Sequence, residues 1–100
     1  MGEERGRKTE KRVEEVLKEM LRKGKIERFW QSKPGDAADR QGIDFCVVFP
    51  DNREIKFQVK SSERGAEEHR KKHPDIPAII IPPGETTDQI KKKILSLKFV

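Results

Sequence analysis

The stretch that decides the fold is residues 42–62, which read GIDFCVVFPDNREIKFQVKSS. Apolar and polar residues alternate on both sides of a Pro-Asp-Asn segment, and this is the period of two half-buried β-strands. A three-residue loop at 50–52 suits a hairpin, because proline presets the first turn position and asparagine tolerates a left-handed third position. We therefore predict strands over residues 43–49 and 54–61, joined by that loop.

The loop length also predicts the register of the hairpin, with Phe45 opposite Phe57 and Asp44 opposite Gln58. Lys60 follows Gln58 by two residues, so Asp44, Gln58 and Lys60 are expected on one face. A loop that was shorter or longer by one residue would turn one strand over and separate these side chains. The predicted site therefore depends on the predicted turn.

A helix is predicted over residues 9–23. Its apolar residues recur at helical spacing on one face, and they are Val13, Val16, Leu17, Met20 and Leu21. Gly24 follows a basic last turn, as is typical of a helix end. Glu10 lies one turn before Val13, at the edge of the buried face. Residues 1–8 are expected to be flexible.

The other elements are predicted from turn formers, prolines and apolar runs. They are a strand at 26–30, a polar loop at 32–41, an exposed helix at 63–73, a strand buried on both faces at 77–81, and a helix at 87–97. Thr86 and Gln89 form a capping-box pattern before the last helix. We therefore predict a single α/β domain over residues 1–100, with a central mixed four-stranded sheet flanked by helices and an additional C-terminal helix.

The composition favours a polyanionic partner and an intracellular location. Charged residues make up 41% of the chain, and 23 basic against 18 acidic residues give a net charge of +5. Such a basic balance is typical of proteins that bind nucleic acid. Cys46 is the single cysteine, which excludes an intrachain disulfide and favours a reducing compartment. No apolar run approaches the roughly 20 residues of a membrane span, so a cytoplasmic protein without a membrane partner is expected.

The polar face of the hairpin offers the groups that phosphodiester hydrolysis needs. The reaction requires a nucleophilic water and stabilisation of negative charge, and a hard cation held by oxygen ligands supplies both. Available ligands are the carboxylates of Asp44 and Glu10, the side-chain oxygen of Gln58 and the backbone carbonyl of Val59. Lys60 is suited to orient or deprotonate the water, or to offset phosphate charge. These roles for Lys60 stay open at this point.

These residues and their spacing resemble the PD-(D/E)xK nuclease superfamily, whose fold is called restriction-endonuclease-like. The matching features are Gly6, Glu10 and Val13 on the first helix, GID at 42–44, and QVK at 58–60. The archaeal Holliday-junction-resolvase branch is the most similar at the amino end. The resemblance covers most of the chain and implies an αβββαβ core.

The resemblance also implies a Mg²⁺-dependent nuclease, with Mn²⁺ as a substitute. In this interpretation Asp44 is the central ligand, Gln58 occupies the usual acidic position, Lys60 is the catalytic lysine and Glu10 is the helix-borne carboxylate. Two features depart from the family pattern: no proline precedes Asp44, and Gln58 replaces an aspartate or glutamate. The second departure removes one negative charge and is expected to weaken metal binding.

The expected partner is DNA, with RNA left open. A homodimer is also expected, because two sites are needed to cut two strands. The side chains predicted to contact nucleic acid are Lys33, Arg40, Ser61, Ser62, Lys71 and Lys72. The alternative function is a catalytically inactive nucleic-acid-binding or assembly subunit with the same fold. A third interpretation is a charged α/β domain that binds protein.

Several other residues are open to two interpretations. Glu14 rivals Glu10 as the helix ligand, because it lies one turn later. Asp36 and Asp39 are interpreted as turn residues, although their loop could approach the metal.

The histidines and two aromatic residues are also ambiguous. His69 and His73 have i, i+4 spacing, but no third ligand lies nearby in sequence, so a solvated helix face is preferred over a shared metal. Phe29 and Trp30 could stack on a base, and core packing is preferred for both.

Overall fold

The protein, described by a computed structural model, forms four helices and four strands within residues 2–33 and 35–97, with only the backbone described for residues 2–7. The elements are α1 (Gly2–Arg22), β1 (Arg28–Gln31), α2 (Ala37–Arg40), β2 (Phe45–Val48), β3 (Glu54–Lys60), α3 (Glu63–Lys72), β4 (Ala78–Ile80) and α4 (Thr87–Ser96). The sheet order is β1-β2-β3-β4, and only β4 is parallel to its neighbour. The predicted α/β class, with a mixed four-stranded sheet flanked by helices, is confirmed.

The hairpin of β2 and β3 has the predicted register. Phe45 pairs with Phe57, and their rings stack with centroids 5.7 Å apart. Asn52 has a φ of 69°, the left-handed conformation expected at the third loop position. The N–H of Phe49 donates to the carbonyl of Arg53 at 2.8 Å and closes the loop. The three-residue turn therefore aligns the two strands as the sequence indicates.

The core lies between the hairpin face, α1 and α4. Its fully or nearly fully buried residues include Val13, Val16, Leu17, Met20, Phe45, Val47, Phe57, Val59, Ile90 and Ile94. Leu21 was predicted on the same face of α1, but it is 42% exposed. Burying each large apolar side chain contributes about 1.5–3 kcal/mol, so this shared core fixes α1 against the sheet.

The bounds of α1 differ from the prediction at its start. The helix begins at Gly2, seven residues before the predicted start at residue 9, which is therefore wrong. The apolar residues that recur at helical spacing begin at Val13, so the charged residues before it give no sign of a helix in the sequence. At the other end, Gly24 has a φ of 73°, and the N–H of Lys25 donates to the carbonyl of Met20 at 2.9 Å. This is the glycine-ended helix terminus that the sequence predicts.

The first strand is shifted relative to the prediction. β1 spans Arg28–Gln31, whereas Ile26 is buried before the strand begins. Phe29 packs against the core, as preferred. Trp30 is 42% exposed, so its predicted core packing is wrong. Alternation along a strand shows that neighbouring side chains face opposite ways, but it does not show that a helix covers both faces.

Two further segments differ in detail from the prediction. The polar loop at 32–41 contains the single turn α2, capped by the Asp36 carboxylate, which accepts the N–H of Asp39 at 2.8 Å. In β4, Ile79 is buried, while Ala78 and Ile80 are only half-buried, so one face is less covered than predicted. None of the described helices is long and apolar enough to cross a membrane.

Candidate catalytic and metal site

Asp44 is held between two strands at the entrance to β2. Its Oδ2 accepts the N–H of Val59 at 2.9 Å, and its carbonyl accepts the N–H of Ser32 at 2.9 Å. Its own N–H donates to the carbonyl of Phe57 at 2.9 Å. The last regular pair between the two strands is Phe45 with Phe57, so the predicted pair of Asp44 with Gln58 lies just beyond the regular pairing. The Asp44 carboxylate contacts Val59, the residue after Gln58. With 7% of its surface exposed, Asp44 is a buried carboxyl in a fixed position.

Glu10 reaches Asp44 from α1. Burial, the negative charge of Asp44 and a side-chain hydrogen bond with Asp44 raise the pKa of Glu10 to about 7. Burial also raises the pKa of Asp44, against the opposing effects of the Val59 N–H and the Lys60 charge. Since the pKa of each carboxyl is raised, the pair holds a proton to higher pH than an isolated carboxyl would. The structure therefore pairs the two carboxyls that the sequence placed on separate elements.

Glu10 rather than Glu14 is the helix carboxyl at this position. Glu14 is half-buried and forms an ion pair with Lys18, with Nζ and Oε1 2.9 Å apart. Asp39 also lies close enough to act on the site, because its negative charge raises the pKa of both Glu10 and Asp44. Its interpretation as a turn residue was therefore incomplete.

Lys60 and Gln58 reach the site from β3. The positive charge of Lys60 partly opposes the upward shifts in the pKa of Glu10 and of Asp44, so this lysine acts electrostatically on both carboxyls. The Oε1 atom of Gln58 is buried and has no hydrogen-bond partner among the described residues. An unpaired buried acceptor costs about 1–3 kcal/mol. A ligand that approaches this oxygen would remove that cost.

The donor set fits a hard divalent cation. Two carboxylates, the Gln58 amide oxygen and the Val59 carbonyl are all oxygen ligands, which Mg²⁺ and Mn²⁺ prefer. A cation would also offset the repulsion between the two neighbouring carboxylates. No three side chains of His, Cys, Asp or Glu are grouped to hold a metal ion in the described part of the chain. The neutral oxygens of Gln58 and Val59 would therefore have to complete the ligand set.

A cleft of about 220 Å³ opens beside Gln58 and Lys60 and extends along α3. His69 lies next to it, is 4% exposed and donates its Nε2 hydrogen to the carbonyl of Ile76 at 2.8 Å. The ring of His73 lies against that of His69, with centroids 5.4 Å apart. The predicted solvated helix face is therefore wrong for His69.

The loop before Asp44 packs against these two histidines through Gly42. Gly42 has a φ of 81°, and a Cβ atom there would lie 2.6 Å from Cγ and Cδ2 of His73. Burial lowers the pKa of His69, and the neighbouring His73 and Lys60 act in the same direction. The neutral ring of His69 and the absence of a side chain at Gly42 therefore allow α3 to pack close to the loop that positions Asp44.

The residues predicted to contact nucleic acid differ in exposure. Lys33, Arg40, Lys71 and Lys72 are exposed, and Ser61 is half-buried. Lys72 lines the cleft together with Lys60. The hydroxyl of Ser62 caps α3 by accepting the N–H of Gly65 at 3.2 Å. Ser62 thus has a structural role in addition to the predicted one.

The cleft residues of α3 were not predicted as part of the site. Their spacing shows that His69 and His73 share a helix face, but no local pattern indicates that this face meets the loop at Gly42. Comparison of the chain with family models, with curated proteins and with solved structures finds no match. The interpretation of the site therefore rests on its own residues and geometry.

Proposed function

We propose that the protein is a metal-dependent nuclease that hydrolyses phosphodiester bonds in DNA, of the PD-(D/E)xK type and with the restriction-endonuclease-like variant of its α/β architecture. The main support is that Glu10 on α1 and Asp44 before β2 are coupled carboxyls on which the Lys60 charge of β3 also acts. Gln58, two residues before Lys60, lines the same cleft as that lysine and has a buried oxygen without a partner among the described residues. The net charge of +5 suits a polyanionic substrate.

In this proposal Glu10, Asp44, Gln58 and the Val59 carbonyl hold Mg²⁺ or Mn²⁺. The bound cation would supply water activation and stabilise negative charge at the phosphoryl group. The Val59 N–H keeps the Asp44 carboxylate in one orientation. Glu10 must release its proton to act as an anionic ligand, which its pKa of about 7 allows near neutral pH.

Lys60 is the proposed catalytic lysine. Its charge acts on both carboxyls, and its side chain lines the cleft beside Gln58, which suits a lysine that faces a phosphate bound at the cation. There it would orient the attacking water and offset the charge that develops on the phosphoryl oxygens. Positioned groups of this kind typically contribute 10²–10⁴-fold to a rate, so the loss of Lys60 should be easy to detect.

The test is cleavage of linear duplex, branched and single-stranded DNA in the presence of Mg²⁺, with RNA as a further substrate. Wild type should cut, and Lys60→Ala should cut about 100-fold more slowly or worse. Lys56→Ala is the matched control, because Lys56 is an exposed lysine on the same strand, 3.6 Å from Glu54. Equal activity of Lys60→Ala and wild type would contradict the assignment.

The alternative is a nucleic-acid-binding or assembly subunit without catalysis, and Gln58 in the acidic position is the residue that favours it. That protein would bind DNA in a salt-dependent manner and leave every substrate intact in the same assay. A homodimer, which cutting both strands of a duplex would require, is part of our proposal and is tested by light scattering of the protein with and without DNA.

A further inference from the structure

The cleft beside the proposed catalytic residues has a balanced, polar lining. Lys60 and Lys72 contribute two positive charges, and Asp39 and Glu68 contribute two negative charges. A phosphate group would favour a site with net positive charge. A lining with both signs instead offers hydrogen-bond donors and acceptors to a neutral polar ring. The volume of about 220 Å³ is large enough for one such ring.

The two imidazoles of α3 add an aromatic side to this cleft. His73 is half-buried, and its ring lies against that of His69 at the point where both rings approach Gly42. His69 is anchored in turn by its hydrogen bond of 2.8 Å to the carbonyl of Ile76. Histidine rings that are fixed in this way are among the side chains on which unstacked nucleobases pack.

The cleft and the proposed catalytic centre share two residues. Gln58 and Lys60 both line the cleft, and the charge of Lys60 also acts on the carboxyls of Glu10 and Asp44. A group bound in the cleft would therefore be a near neighbour of a phosphate placed at the catalytic centre. A base within a stacked duplex must first leave the stack, and this costs least when the base is already unpaired.

We propose that the cleft binds one unpaired nucleobase adjacent to the phosphate that is cleaved. The substrate class is then DNA with an unpaired nucleotide at the cut site, and a fully paired duplex is a poor substrate. The position next to a scissile phosphate rests on the proposed nuclease function. Recognition of the base itself does not require cleavage and is tested separately.

The experiment compares two duplexes that differ only in one 2-aminopurine, which is either unpaired or paired with thymine. Binding is measured by anisotropy in EDTA, which keeps binding separate from cleavage, and insertion is measured by 2-aminopurine fluorescence. Wild type should bind the unpaired form about tenfold more tightly, since stacking on an aromatic ring contributes that order of affinity per base. The fluorescence of the unpaired base should change on binding, whereas that of the paired base should not.

His73→Ala should reduce this tenfold preference to near one. Lys72→Ala and Lys71→Ala form a matched pair of substitutions at neighbouring lysines. Of the two lysines, Lys72 lines the cleft. Lys72→Ala should weaken the preference, and Lys71→Ala should change both affinities by the same factor. Circular dichroism establishes that each variant is folded. If His73→Ala does not fold, the comparison of the lysine variants decides.

Equal affinity of wild type for the two duplexes would overturn the inference, as would a preference that is unchanged in both His73→Ala and Lys72→Ala. Cleavage of the same duplexes in Mg²⁺ distinguishes this failure from a failure of the proposed function. Cutting of both duplexes without any preference would reject the base site and retain the nuclease. Selective binding of the unpaired base without cutting would retain the base site and reject the nuclease.

Discussion

Glu10 is the residue at which burial and charge oppose ionisation most clearly. The negative charges of Asp44 and Asp39 raise its pKa further, and the positive charge of Lys60 acts in the opposite direction. A carboxyl in these surroundings holds its proton to unusually high pH when no cation is present. Since an anionic ligand is what a divalent cation requires, the protonation of Glu10 and metal binding should compete.

The first prediction concerns the stability of the metal-free protein as a function of pH. The pKa of Glu10 rises from 4.5 to about 7 on folding, so the folded state binds this proton more tightly than the unfolded state. The stabilisation is fully present below pH 4.5 and is lost as the pH rises to about 7. The free energy of unfolding, measured with urea in EDTA, should therefore carry a falling contribution from Glu10 across that range, whereas the lowered pKa of His69 contributes in the opposite direction.

Glu10→Gln should make this fall smaller, and the raised pKa of Asp44 should leave a residual dependence of the same sign. Glu14→Gln is the control, because Glu14 is paired with Lys18 away from the site. It should keep the wild-type profile. Identical pH profiles of Glu10→Gln and wild type would show that Glu10 does not hold a proton in the folded state.

At the scale of elements, the contact between α3 and the loop before β2 determines how Asp44 is supported. Gly42 has a left-handed backbone conformation, and a Cβ atom added to it would lie 2.6 Å from the nearest ring atoms of His73. Gly24 has a similar φ of 73°, but no atom of the described residues lies within 4 Å of the position that a Cβ would take there. Alanine substitutions at the two glycines therefore distinguish the cost of a left-handed backbone from the cost of steric overlap with His73.

We predict that Gly42→Ala destabilises the protein more than Gly24→Ala. Both substitutions pay about 1–2 kcal/mol for a left-handed residue with a side chain. Gly42→Ala should lose roughly a further 1–3 kcal/mol, because the His73 ring must move. The measurement is urea unfolding of both variants. Equal losses would mean that α3 does not pack against this loop as described.

The elements that could be predicted from sequence are those with local determinants. The hairpin register follows from a three-residue loop and from Asn52, whose left-handed φ of 69° is observed. The end of α1 follows from Gly24, and the start of α4 from its capping box, which is present. Each of these signals lies within a few residues of the structure that it determines.

The features that could not be predicted depend on contacts between distant segments. The burial of His69 depends on where the loop at Gly42 lies, and the exposure of Trp30 depends on which sheet face a helix covers. In the candidate site, the hairpin residues were predicted from strand period, and Glu10 from helical phase and the family resemblance. The effect of Asp39 on the pKa of Glu10 depends on the path of the loop at 32–41, which no local sequence pattern predicts.

At the scale of the whole molecule, a small core supports a heavily charged surface. Charged residues form 41% of the chain, and the main buried cluster lies between α1, α4 and one face of the sheet. This core fixes α1 relative to β3, and so it fixes Glu10 relative to Asp44 and Lys60. The candidate site is therefore a product of the tertiary fold, because no single element contains its residues.

We propose that the fold assembles one divalent-cation site from Glu10, Asp44, Gln58 and Val59. Calorimetric titration with Mg²⁺ and Mn²⁺ tests it most directly, with Asp44→Asn as the variant and Asp36→Asn as the control. Asp36 is an exposed aspartate that caps α2, and asparagine caps a helix equally well. Running the titration near pH 7 in buffers of different ionisation enthalpy also measures the proton that Glu10 should release.

We expect saturable binding of the cations to wild type and to Asp36→Asn, with proton release, and no binding to Asp44→Asn. Wild-type protein that shows no saturable binding of either cation, or Asp44→Asn that binds as well as wild type, would contradict it.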